Sequence, residues 1–203
     1  EMAGEMISFS KKWDRVLDWD FRTGKIKWFE GAKLNVSYNC LDRHVEAGKG
    51  DKVALLWEGN EPTESKAITY AQLLADVQKM ANVLKGMGVK KGDRVCIYLP
   101  MIPELPVTML ACTRIGAVHS IVFGGFSADS LRDRILDSSC KILVTCDGTY
   151  RGAKAVPLKA TSDEALKETP SIEKQIVVKR TGTAVTMTTG RDVWWDDVMA
   201  KAD

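Results

Sequence analysis

The feature that most constrains this chain is an alternation that begins near residue 51. Short apolar runs of strand length take turns with longer stretches whose apolar residues recur every three or four positions. The run 53–57 (Val-Ala-Leu-Leu-Trp) is bounded by turn residues and reads as a strand. After it, Leu73, Leu74, Val77, Met80, Ala81 and Leu84 fall on one helical face, with Thr69 as cap and Gly88 as stop. The run 94–99 is a second buried strand, halted by Pro100, and Pro103 opens a helix that Gly116 closes. Residues 118–123 form a strand, Gly124-Gly125 a turn, and Ser127 caps a helix carrying Leu131, Ile135 and Leu136. A strand at 141–146, a helix around 162–167, a strand at 173–179 and a helix over 192–201 complete the series. Such alternation builds crossover units on a mainly parallel sheet, and strands apolar on both sides place helices on both faces. The expected fold class is therefore α/β.

The first fifty residues break this rhythm. Trp13, Trp19, Phe21, Trp28 and Phe29 fall among Lys, Asp and Gly, which reads as an irregular wrap laying rings on a neighbouring layer. Asn35 can cap a helix through Leu41 to Val45, ended by Gly48-Lys49-Gly50. The division expected is an N-terminal extension over 1–50 and a sheet-bearing domain over 51–203.

Composition excludes several classes. Hydrophobic residues are 45% and charged residues 28% of the 203, which suits a packed core and not a disordered chain. The net charge of +2, with no basic stripe, argues against nucleic acid. No run approaches the ~18 apolar residues of a membrane span, and the opening residues resemble no signal peptide. The five cysteines are odd in number and lack Cys-x-x-Cys spacing, so free thiols in a reducing intracellular setting are expected. His44 and His119 have no partners at metal-ligand spacing.

In a doubly wound sheet ligands collect beyond the carboxyl ends of the strands, so the turns after strands matter most. Three stand out. In the first, Phe123-Gly124-Gly125 precedes a helix start; bare backbone there suits a ligand loop or merely a tight turn. The second is the segment 147–154, in which Arg151 and Lys154 flank Gly152 and Ala153. A fork and a point charge around small residues suit a phosphate, and Tyr150 offers a ring face for a base; a solvated basic turn fits equally. In the third, Glu104 follows Pro100 to Pro103 and reads as ordinary complementation of a helix dipole. Phosphate-loop, nucleophile-elbow and zinc-protease motifs are missing.

Longer motifs carry a resemblance. Asn-Cys-Leu-Asp-Arg-His at 39–44, Trp-Glu-Gly-Asn at 57–60, Lys-Gly-Asp-Arg-Val at 91–95, Tyr-Leu-Pro-Met-Ile-Pro-Glu at 98–104, the whole of 111–127, and Arg-Asp-Val-Trp-Trp at 191–195 stand in order. Together they resemble the AMP-forming acetyl-coenzyme A synthetases, a family of the adenylate-forming superfamily, from about residue 7 to residue 203. That family activates acetate with ATP and Mg2+ to acetyl-adenylate, then passes the acetyl group to the thiol of coenzyme A. The resemblance implies that the ATP-handling loops and the catalytic lysine lie downstream of residue 203. The remainder of the same chain would then be this segment's partner, neither nucleic acid nor membrane would be, and the fragment alone would be inactive. It implies coenzyme A contacts at Arg151, Gly152, Ala153 and Lys154, helped by Phe123, Gly124 and Gly125, and a cytoplasmic location. Many members have Arg where Lys154 stands. Kin that activate propionate share much of this stretch, although 137–141 looks more like the acetate enzymes. A stand-alone coenzyme A-binding module is the rival from another class.

Overall fold

The computed structural model describes residues 2–203. A short helix, α1 (Met2–Met6), leads into an antiparallel hairpin of β1 (Arg15–Asp20) and β2 (Lys25–Glu30). The wrap expected to be irregular is thus partly regular. Leu17 faces Trp28 and Trp19 faces Ile26 across the ladder, so Trp19 and Trp28 share one side of the ribbon. Asn35 does act as a cap, its side-chain oxygen accepting from the Tyr38 N–H at 3.1 Å. The wide helical turns Tyr38–Asp42 and Val45–Lys49 come next, and Gly48 at φ +73 breaks them. A second hairpin pairs β3 (Val53–Glu58) with β4 (Ser65–Thr69).

Helix α2 (Tyr70–Gly86) starts with a complete capping box: Thr69 accepts from the Gln72 N–H, and the Gln72 side chain accepts from the Thr69 N–H. The central sheet then forms from β5 (Arg94–Leu99), α3 (Glu104–Ile115), β6 (Val118–Phe123), α4 (Ala128–Ser138) and β7 (Ile142–Cys146). A small hairpin of β8 (Thr149–Arg151) and β9 (Lys154–Val156) precedes α5 (Leu158–Leu166), β10 (Lys174–Val178), β11 (Asp192–Trp194) and α6 (Trp195–Lys201). Two expectations are corrected here. Residues 192–194 are a strand, because Ile176 and Val177 of β10 give Val193 and Trp194 parallel partners. The helix expected around 162–167 begins at Leu158, directly after Pro157.

All five strands of the sheet run parallel in the order β11-β10-β7-β5-β6. Counted from the other edge this is the 2-1-3-4-5 order of a common doubly wound sheet. The chain moves one way from β5 to β6, then reverses toward β7, β10 and β11. Right-handed crossovers therefore put α3 on one face and α4 and α5 on the other. β5 and β7 are buried along nearly their whole length, which explains their unbroken apolar sequence. Cys96, Cys112, Cys140 and Cys146 are free thiols within this core, while Cys40 is exposed. Trp195 is buried in this core.

Candidate functional site: a glycine turn beneath a basic hairpin

The reversal of winding places the crevice beyond the carboxyl ends of β5, β6 and β7. A cavity of about 540 Å³ lies there. Its walls come from Tyr98 at the end of β5, the turn Gly124 to Ala128 after β6, Arg151 after β7, and Thr161 and Glu164 on α5. Two turns far apart in sequence, each ambiguous by itself, meet at one rim.

Each glycine has a steric reason to be there. Neither Gly124 nor Gly125 has a positive φ, so conformational freedom is not their purpose. A Cβ on Gly124 would press on the Leu99 backbone and on Leu158 at 3.2 Å. A Cβ on Gly125 would fall on the Arg151 guanidinium and the Phe123 ring. The glycine pair therefore lets a guanidinium lie against bare backbone. The Tyr98 hydroxyl anchors this turn by donating to the Phe126 carbonyl at 2.7 Å, and burial pushes its pKa up, which keeps it a donor. Behind the turn, the Ser127 side chain accepts from the Ser130 N–H at 3.3 Å and starts α4.

Arg151 and Lys154 are opposite one another across the β8–β9 ladder. Between them Gly152 takes φ +57 at the first central position of a two-residue turn, a conformation that favours glycine. Directly opposed residues share a face of the ribbon, and like charges there repel. Among the described residues neither cation has a carboxylate within ion-pair distance. Lys154 and Ala153 lie on the hairpin outside the cavity wall, and Phe123 is exposed beside it, its ring meeting Phe126 edge-on at 5.9 Å. Tyr150, read from sequence as a face for a base, turns the other way and stacks on Arg180 instead. Glu104 is partly buried, and burial raises its pKa.

Sequence reasoning missed Tyr98, Thr161 and Glu164. Their only signal is position, at a strand end and on the helix facing it, and only the folded chain shows that they share a cavity. A larger cavity of about 660 Å³ lies between the N-terminal extension and the end of α3. Its one cation, Arg114, is already held bidentately by Asp42 at 2.8 and 2.9 Å, so it offers no free charge to a ligand. Among the described residues no cluster of three or more His, Cys, Asp or Glu is arranged to hold a metal, and no helix is long and apolar enough to cross a membrane.

The comparisons identify the family. Residues 41–202 match the AMP-binding enzyme family, and residues 1–40 match the acetyl-coenzyme A synthetase N-terminus. Acetyl-coenzyme A synthetase of Magnetococcus marinus is 59% identical over 202 residues, covering 100% of this chain and 31% of that protein. The Rubrobacter xylanophilus protein of the same name is 60% identical over 197 residues, covering 97% of this chain and 30% of its own. Acetyl-coenzyme A synthetase 2 of Pseudomonas putida is 54% identical over 196 residues, again with 97% of this chain and 30% of the relative covered. The chain thus spans about a third of the length of these curated relatives.

Proposed function

This chain belongs to the AMP-binding enzyme family, and from that premise we propose that it is the N-terminal portion of an acetate–coenzyme A ligase, carrying part of the coenzyme A site. The whole protein would use ATP to form acetyl-adenylate, release pyrophosphate, and transfer the acetyl group to the coenzyme A thiol. Magnesium would assist at the ATP phosphates; the described residues supply no cluster suited to a metal, so none of them is assigned to it.

One observation carries the assignment of the coenzyme A site. Two cations without acidic partners among the described residues face each other across a two-residue turn, and one of them lies on a glycine backbone at the strand ends. A phosphate of the nucleotide end would relieve their repulsion. The Arg151 guanidinium would hold it by a planar fork, with Lys154 adding a second charge from the hairpin. Gly152 and Ala153 keep the turn between them small, and Gly124-Gly125 with Phe123 form the floor on which the nucleotide rests. These residues bind and orient; none of them transfers a proton or makes a bond.

The test is direct. The full-length protein, given acetate, ATP and coenzyme A, is expected to produce AMP and acetyl-coenzyme A; propionate run alongside measures acyl preference. Absence of both products rejects the ligase reading. Arg151→Ala is expected to raise KM for coenzyme A about tenfold, the equivalent of ~1.4 kcal/mol, while acetate-dependent exchange of pyrophosphate into ATP stays within about twofold. An unchanged KM rejects the site. The 203-residue chain alone is expected to show no such exchange.

A further inference from the structure

The guanidinium of Arg180 lies over two aromatic rings, and the coenzyme A contacts leave it without a role. Its central carbon is 5.2 Å from the Trp57 ring centroid and 5.4 Å from that of Tyr150. Both terminal nitrogens hold Glu64, one of them at 2.8 Å to the second carboxylate oxygen. The Arg180 backbone N–H donates to the Asp147 carboxylate at 2.8 Å. Trp57 is itself fixed, its indole N–H donating to the Met101 carbonyl at 2.8 Å. Arg180 is thus held at its backbone and at its fork, with the Trp57 and Tyr150 rings both within cation–π reach.

We propose that Arg180 is a positioning residue for the coenzyme A site, holding the Tyr150 ring so that Arg151 presents its guanidinium to the glycine cavity. This rests on the reading of Arg151 as a phosphate contact. Among the described residues the β8–β9 ribbon pairs with no other strand, and an isolated two-stranded ribbon is marginal by itself. Something outside the ladder must set its angle. Successive residues of a strand point to opposite faces, so fixing Tyr150 on one side fixes Arg151 on the other. The Asp147 carboxylate ties the entry to the hairpin by accepting from the N–H groups of Gly148, Arg180, Thr181 and Gly182. At its exit Val156 packs against the core ahead of α5, and the stack of Tyr150 on Arg180 adds a hold on the side away from Arg151. Lysine could not replace this arginine, because a point charge cannot grip Glu64 with a fork and present a flat face to two rings at once.

The experiment uses the full-length protein, with KM for coenzyme A set against acetate-dependent pyrophosphate exchange, which needs no coenzyme A. Arg180→Lys and Tyr150→Ser are each expected to raise KM for coenzyme A about fivefold, given stacking of this kind, and to leave exchange within about twofold. Tyr150→Phe keeps the ring and is expected to restore KM. In an Arg151→Ala background, Arg180→Lys should add less than about twofold, because it acts through the residue already removed. A merely structural role would depress exchange in parallel with the loss in KM. If Arg151→Ala raises KM but Arg180→Lys and Tyr150→Ser do not, the positioning role is overturned and the site stands. Should Arg151→Ala leave KM unchanged, the site and its positioning fall together.

Discussion

Lys159 occupies a place where lysines are rare, almost fully buried on α5. Its Nζ donates to both Asp163 oxygens at 2.7 Å, to Asp192 at 2.9 Å and to the Thr186 carbonyl at 3.0 Å. Asp192 also takes the Arg191 Nε at 2.6 Å and the Thr188 N–H at 2.8 Å. Burial pushes the Asp192 pKa up, but Arg191, Lys159 and the Thr188 N–H outweigh it and hold the carboxyl below its ordinary value. A folded-state value below the unfolded one means stability that is present above pH ~4 and lost as pH falls through the folded value. Asp192→Asn should therefore flatten the acid side of the stability curve. At neutral pH it should cost about 1–3 kcal/mol, because Lys159 and Arg191 lose charge-assisted hydrogen bonds while keeping Asp163. Urea unfolding of the chain at pH 7 and at pH 3 measures both effects. Little of this network is legible in the sequence. Lys159 and Asp163 have helical spacing, but Asp192 reads as the start of a helix until β10 recruits it into the sheet.

Among the elements, α2 was the most legible and the β8–β9 hairpin the least. The stripe Leu73, Val77, Met80, Ala81 and Leu84 is buried as its period requires, and Thr69 begins the helix by the capping box that Gln72 completes. Thr69→Ala is expected to cost about 1 kcal/mol, seen as a lower melting temperature with unchanged helix content by circular dichroism. The β1–β2 hairpin carried a signal too. Leu17 and Trp19 alternate with polar residues, as do Ile26 and Trp28, around Gly24 at φ +66. The density of aromatics hid that period of two behind the look of an irregular wrap. In contrast, β8 and β9 are three residues each and largely exposed. No hydrophobic pattern marks them, so the segment reads as a loop until Tyr150 is seen against Arg180. β11 is equally short, and its strand character comes only from pairing with β10.

At the scale of the molecule, the sheet ends at β6, which among the described residues pairs only with β5. Val118, Ile121 and Phe123 on that strand are exposed. An open apolar edge invites pairing with another chain. The 203-residue chain should therefore associate as its concentration rises, and Ile121→Lys should shift it toward monomer in sedimentation velocity. Equal monomer fractions for the two would show that the edge is not the sticky surface. The strand order also explains the site, since reversing direction after β6 opens the crevice where Tyr98, the glycine turn and Arg151 meet. The residue pattern by itself determined the α/β class, the central strands, the caps of α2 and α4, and both candidate turns, because those depend on period and local geometry. Only the tertiary structure decided that the turns share a cavity, that Tyr150 faces away from it, and that Asp192 closes a buried ion network. Those outcomes depend on contacts between segments distant in the chain, which no local pattern records.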